Sequence, residues 1–190
     1  MDWDSIGSFL KLGIHHVLEG WDHLLFAAAL VLALRSFWEV FKIIGVFTLA
    51  HSITVTITAL RGTPLLSPSI VEPVIAASII VVAIENILRK DSALTKQRLA
   101  VAFVFGLVHG MGLGGALLEN LKELPGQAIG WGIAAFCAGV EAGHLCVVAP
   151  LSGLLKVGHD MGGARFRRMV LLGGSSLIAL GGCYYLWAAL

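Results

Sequence analysis

Ionisable side chains inside the apolar stretches of this chain are the residues best suited to chemistry. Four are histidines and two are acids: His23, His51, His109 and His144, with Asp22 beside the first and Glu141 three residues before the last. A charged residue at the centre of a membrane helix costs about 2.5–3.5 kcal/mol on insertion scales, so such residues tend to mark function. Imidazole nitrogen and carboxylate oxygen are favoured ligands of divalent zinc, nickel, cobalt and iron. The six residues therefore predict a site for a divalent transition metal.

Three further residues are predicted to line an access path to that site. His16 lies seven residues before His23 and so on a similar helix face. Glu72 falls near the outer end of an apolar segment and Glu85 near its cytoplasmic end. Both acids also have a structural explanation. Glu72 meets the positive end of a helix macrodipole, and Glu85 is spaced for an ion pair with Arg89, four residues on.

Other histidines do not suit a metal site. His15 points away from His16 and is expected at the membrane interface, while His159 lies in a basic stretch and is expected to be solvated. A single histidine in a membrane is more often a hydrogen-bonding packing residue than a ligand. A network of interhelical hydrogen bonds, or a proton relay, is therefore the alternative to a metal site for the whole group.

The elements that carry these residues are those of a membrane protein. Of the 190 residues, 57% are hydrophobic and 13% charged, with a mean hydropathy of +0.88, whereas soluble domains carry about a quarter charged residues. The net charge of +1 provides no field that would attract nucleic acid, so no nucleic-acid partner is expected. The expected surroundings are the lipid bilayer.

Crossing a bilayer takes roughly 20 mostly apolar residues. Five segments meet this length: about 40–60, 70–89, 98–118, 129–155 and 169–190. A sixth span, about 10–35, requires the short apolar run before Arg35 to extend back through a bend near Gly20. The alternative is a half-span preceded by an amphipathic helix at the surface. We predict an all-α polytopic helix bundle of about six transmembrane helices, forming a single domain over residues 1–190.

The distribution of basic residues predicts the orientation. On one side of the predicted membrane, the connections and span ends contain ten basic residues, namely Arg35, Lys42, Arg89, Lys90, Lys96, Arg98, Lys156, Arg165, Arg167 and Arg168. The other receives Lys11, Arg61 and Lys122. Because basic residues accumulate on the cytoplasmic side, we predict an inner-membrane protein with both termini outside.

In this orientation His23, His51, His109 and His144 each lie about 11 or 12 residues, roughly 16–18 Å, from the cytoplasmic boundary. Four helices thus place a histidine near the bilayer midplane.

Five motifs in the order of a known family contain these residues. They are Gly13-x-x-His16-x-x-x-Gly20-x-Asp22-His23, Phe47-Thr48-Leu49-Ala50-His51-Ser52-Ile53-Thr54, Glu72…Ala76-x-Ser78-Ile79…Glu85-Asn86, Phe105-Gly106-Leu107-x-His109-Gly110-x-Gly112 and Phe136…Gly139-Val140-Glu141-x-Gly143. Over about residues 10–145 the chain resembles the HupE/UreJ membrane proteins. Two positions depart from the pattern: Cys137 and His144 occupy places where Asn and Gln are expected.

The resemblance implies a function as well as a fold. The family is regarded as nickel or cobalt permeases linked to hydrogenase and urease maturation, which implies uptake of a divalent cation. The first hypothesis is therefore a transporter that holds nickel, cobalt or a similar ion transiently, with His16 and Glu72 on the outer approach and Glu85 on the cytoplasmic exit. A homo-oligomer is compatible with this reading.

The second hypothesis is an intramembrane, zinc-like metallohydrolase built on the same residues. Its ligands would activate a water molecule, with Glu141 or Asp22 as the general base. A membrane packing protein with a proton-relay network is the third hypothesis. The transporter is favoured, and the sequence leaves the metal open among nickel, cobalt and zinc.

Overall fold

The computed structural model describes residues 3–34, 36–89, 94–112 and 115–190. Within these ranges the helices are α1 (Trp3–Glu19), α2 (Trp21–Leu32), α3 (Phe37–Arg61), α4 (Pro68–Leu88), α5 (Lys96–Met111), α6 (Gly115–Lys122) and α7 (Ile129–Ala189), with a 3-10 turn at Gly126–Ala128. The described residues contain no β-strand. The predicted all-α helix bundle is confirmed. Arg35 and Lys90, which entered the prediction of orientation, lie outside the described residues.

Several helices are long and apolar enough to cross a membrane. They are α3, α4 and the continuous helical segment Gly126–Ala189, whereas α2 is apolar but shorter. The segment Gly126–Ala189 does not run straight, because Gly163 in α7 has φ 62° and ψ −157°. The ring of Phe166 then lies against Gly158, and Leu155 and Val170 line one cavity. The chain thus reverses at Gly163, and α7 forms two arms of a hairpin.

The first predicted span is broken near its middle. Gly20 separates α1 from α2 with φ −79° and ψ 96°, outside the helical region. A side chain at this position would collide with the His16 carbonyl and with the side chains of Asp22 and His23. The bend predicted near Gly20 is therefore confirmed, and glycine is required there by the close approach of the next turn.

The helix predicted over 98–118 ends earlier. Helix α5 stops at Met111, and the backbone N–H of Gly112 donates to the His109 carbonyl (3.1 Å). The chain then resumes as the short helix α6. The difference follows from the local sequence, because Gly110, Gly112 and Gly114 weaken helical continuity.

Glycines bring two pairs of helices into backbone contact. Gly106 and Gly110 of α5 face the carbonyl groups of Phe47 and His51 in α3, so these two helices run side by side in the same direction. On the other side of the bundle, Gly13 of α1 meets the backbone of Phe136 and Val140 in the first arm of α7. Small residues allow this close packing, which provides much of the attraction between helices in lipid.

The bundle interior has two apolar clusters. The first surrounds Phe26, Phe47, Ile43, Ile44 and Leu30. The second surrounds Phe9, Val17, Val55, Leu117, Phe136 and Val140. On α3, Phe47 of the first cluster comes one turn before His51, and Val55 of the second comes one turn after it. The layer of histidines therefore lies between the two clusters.

Candidate metal centre

Five imidazole rings meet in the middle of the bundle, with His23 at their centre. The centroid of the His23 ring lies 4.7 Å from that of His16, 5.4 Å from His51, 5.5 Å from His109 and 5.9 Å from His144. The rings come from five elements: α1, α2, α3, α5 and the first arm of α7. The four histidines predicted to share one depth thus lie together, and they are joined by His16.

The backbone explains how two histidines of the first span both reach this point. His16 ends one helix and His23 begins the next, so the break at Gly20 changes the direction of the chain between them. On the opposite side, the glycine contact between α3 and α5 places His51 beside Gly110, one residue after His109. Close packing at glycines is therefore what positions these imidazoles.

Three of the histidines have a partner on Nδ1. His23 Nδ1 lies 3.1 Å from the Asp22 carboxylate, and the Nδ1–H of His109 donates to the Phe105 carbonyl at 2.8 Å. His144 Nδ1 shares a hydrogen bond with the Thr48 hydroxyl (3.2 Å). Partners of this kind fix the orientation of metal-binding histidine rings and select the tautomer. In each case Nε2 is the nitrogen left for a ligand.

The Nε2 atoms are buried and lack hydrogen-bond partners. Within the described ranges this holds for His16, His23, His51, His109 and His144, and Nδ1 of His51 is unpaired as well. Buried polar atoms are nearly always satisfied in proteins, and leaving one unpaired costs roughly 1–3 kcal/mol. Several such atoms around one point form a group of nitrogen lone pairs of the kind that suits a metal ion.

The closest potential ligand atoms belong to His16, His23 and His51, which lie within 4.8 Å of one another. Two nitrogens that both bind one ion at about 2.0–2.1 Å are at most about 4.2 Å apart. Movements of less than about 1 Å would therefore bring all three nitrogens onto one ion. His16, predicted on the access path, lies within this trio.

The carboxylates occupy different positions. Asp22 is half-buried and contacts His23, as a carboxylate that orients a metal-binding histidine would. Glu141 lies one turn before His144, and its Oε2 atom is buried without a partner among the described residues. Glu72 is exposed near the start of α4. Glu85 lies outside the cluster and pairs with Arg89 (2.9 Å) and Arg98 (3.7 Å), so the ion pair weighed as its structural explanation is present.

Comparison with known proteins identifies the family. The family model described as HupE / UreJ protein matches residues 1–189, essentially the whole chain. The chain belongs to the HupE/UreJ family. The resemblance drawn from five motifs is thus confirmed and extends beyond residues 10–145. Neither the curated proteins nor the solved structures gave a match.

The HupE/UreJ family is associated with nickel and cobalt transport. In this chain, His144 stands where the motif resemblance led us to expect Gln. Its ring joins the cluster, and its Nε2 atom is buried and unpaired. A glutamine would offer an amide at the same position instead of an imidazole nitrogen. The candidate site of this HupE/UreJ protein thus has an imidazole nitrogen at a position where the motif resemblance led us to expect an amide.

Sequence reasoning missed two contributors to the site. The Phe47 ring lies 5.2 Å from the His109 ring and 5.4 Å from the His144 ring, and so forms one wall of the cluster. Thr48 holds His144. Both residues stand in the motif that contains His51, three or four positions before it. Their position one turn from a histidine was the available signal.

Proposed function

We propose that this HupE/UreJ protein transports a divalent transition-metal ion, nickel or cobalt, across the inner membrane. The observation that supports the proposal is the cluster of five histidines whose Nε2 atoms are buried and unpaired. Imidazole nitrogen suits nickel, cobalt and zinc. The association of the family with nickel and cobalt transport favours the first two.

The position of the cluster suits passage of an ion. Substrate sites of secondary transporters lie near the midplane and are formed by helices with broken segments. Here α1 and α2 are separated at Gly20, between His16 and His23. We propose that the ion binds first to His16, His23 and His51, with His109 and His144 taking part as it moves on. Glu72 on the outer approach and Glu85 on the cytoplasmic exit complete the proposed route.

The hydrolase hypothesis uses the same residues and differs in what happens to the ion. A hydrolase holds its metal through many turnovers, with Asp22 or Glu141 as base, whereas a transporter releases it. Transport is favoured by the family and by the number of nitrogens, because five imidazoles exceed the three protein ligands typical of catalytic zinc sites.

Uptake by the purified protein in liposomes tests the proposal. We expect nickel added outside to reach a metal-sensitive dye trapped inside, and we expect His51→Gln to reduce that uptake to the level of empty liposomes. His51 is fully buried with both nitrogens unpaired, so its loss removes a ligand. His159→Gln is the matched control, since His159 lines a cavity near Phe166, far from the cluster, and should transport normally.

Two results would contradict transport. Normal uptake by His51→Gln would exclude the histidine cluster from the route. No uptake by the wild-type protein, together with one tightly held ion per chain in metal analysis, would favour the hydrolase instead.

A further inference from the structure

A second pair of ionisable residues lies at the depth of the histidine cluster but outside it. His15 is the neighbour of His16, whose ring belongs to the cluster, and successive helix residues differ in depth by about 1.5 Å. Glu19 comes one turn later, about 6 Å further along α1. Both residues therefore lie deep in the bundle's span, away from the end of the bundle where α1 begins.

This pair faces outward. Nδ1 of His15 and Oε1 of Glu19 are 3.1 Å apart, and the two side chains are 65% and 75% exposed. On the opposite side of α1, Gly13 and Val17 are buried against the first arm of α7. Lys11 is exposed on the same outward side as His15. One face of α1 thus packs against the bundle, and the opposite face exposes polar groups at the depth of the histidine cluster.

Contact with lipid would be energetically unfavourable for such a face. The hydrocarbon region supplies no hydrogen-bond partners, and ionisable residues within it almost always face a protein interior or a water-filled cavity. A water-filled cavity at this depth requires a second protein wall. Over the described ranges, the exposure of His15 and Glu19 shows that this chain does not supply one.

We propose that the outward face of α1 is the contact between two copies of this chain. The face is self-complementary, because it carries a base and an acid whose side-chain tips lie 3.1 Å apart, at nearly the same depth. A two-fold axis along the membrane normal keeps each group at its depth, so the pair of one copy would face the pair of the other, with His15 of each copy next to Glu19 of the other in a symmetric interface. Leu18, three residues after His15 on α1, is 43% exposed and supplies apolar surface beside the pair. This inference does not depend on the ion being transported.

Crosslinking in membranes tests the contact. In a Cys146→Ser/Cys183→Ser background, which removes the two exposed native thiols, Leu18→Cys should form a covalent dimer with a short, membrane-permeant bis-maleimide. Leu180→Cys is the matched control, because Leu180 is 67% exposed on the second arm of α7, and it should remain monomeric.

Every other outcome of this experiment overturns the proposal. Equal crosslinking at positions 18 and 180 would indicate random collision. Labelling of Leu18→Cys by a charged, impermeant thiol reagent without crosslinking would indicate an open aqueous surface. Neither labelling nor crosslinking would indicate that α1 faces lipid.

A charge exchange tests the role of the pair itself. Glu19→Arg places a cation beside His15 and should lower the fraction of dimers counted by single-molecule photobleaching in lipid nanodiscs. His15→Glu/Glu19→Arg restores opposite charges and should restore the dimer fraction. Both side chains are exposed, so folding should be unaffected, which size-exclusion chromatography would check. An unchanged dimer fraction in Glu19→Arg would show that the copies do not meet through this pair.

Discussion

At the scale of single residues, the candidate site depends on which nitrogen of each imidazole is free. The Asp22 carboxylate and the Phe105 carbonyl accept from Nδ1–H of His23 and His109, which leaves a lone pair on Nε2. His144 is held by a hydroxyl, which either donates or accepts, so its tautomer is less constrained. Thr48 is therefore the partner whose removal should be most informative.

Substitution of Thr48 should weaken metal binding without unfolding the protein. Thr48→Val keeps the shape of the buried side chain but removes the hydroxyl 3.2 Å from His144 Nδ1. Loss of such an orienting partner typically costs about 10–100-fold in metal affinity, and we expect a change in this range for nickel, measured by competition with a chromophoric chelator. Thr48→Ser retains the hydroxyl and should bind nearly as the wild type. Equal affinities for the two variants would show that the hydroxyl does not position His144.

At the scale of elements, the site depends on how closely α3 approaches α5. A methyl group on Gly106 would meet the Phe47 carbonyl and the Ala50 side chain, so the two helices would have to separate. Gly45 on α3 provides a contrast, because a methyl group there would have no neighbour within 4 Å. The same substitution thus has opposite expected effects at two positions of one bundle.

Gly106→Ala should lower both stability and metal affinity. Overpacking of a tight contact costs about 1–3 kcal/mol, and the separation moves His51 away from His109. Gly45→Ala should be neutral or stabilising by up to about 1 kcal/mol, because alanine is the better helix former. Thermal unfolding in detergent, followed by nickel titration of both variants, measures the two effects. A Gly106→Ala variant as stable as Gly45→Ala would show that the helices are not in backbone contact.

The sequence predicted those features that depend on local composition. Long apolar stretches identified α3 and α4, and the bend at Gly20 followed from a glycine within a run too short to span alone. The place of His16 was not predictable in this way. Its distance from His23 depends on the angle at which the chain leaves Gly20, and hydropathy carries no information about that angle. The reversal between the predicted spans 129–155 and 169–190 was expected, but its position at Gly163 was not, because helical residues continue on both sides of this glycine.

At the scale of the whole molecule, one end of the bundle is held together by charged groups. Glu85 at the end of α4 pairs with Arg89 and with the buried Arg98 at the start of α5. The Glu39 carboxylate at the start of α3 accepts from the backbone N–H of Leu94 (3.3 Å). This end carries much of the basic charge that predicts a cytoplasmic location. Glu85 thus links α4 to α5 through an ion pair, and it is also the residue proposed on the exit route.

Exchange of charges between Glu85 and Arg98 separates these two roles. Glu85→Gln removes both ion pairs and should reduce uptake in liposomes while leaving nickel binding at the cluster largely intact, because Glu85 lies outside it. Glu85→Arg/Arg98→Glu restores a pair of opposite charges with the carboxylate on α5. If the only role of Glu85 is the ion pair that joins α4 to α5, the double variant should recover both thermal stability and uptake. If the carboxylate of Glu85 takes the ion on its way out, stability should recover and uptake should remain low, because a cation then stands at that place on α4. We expect the second result, and normal uptake in Glu85→Gln would remove Glu85 from the route.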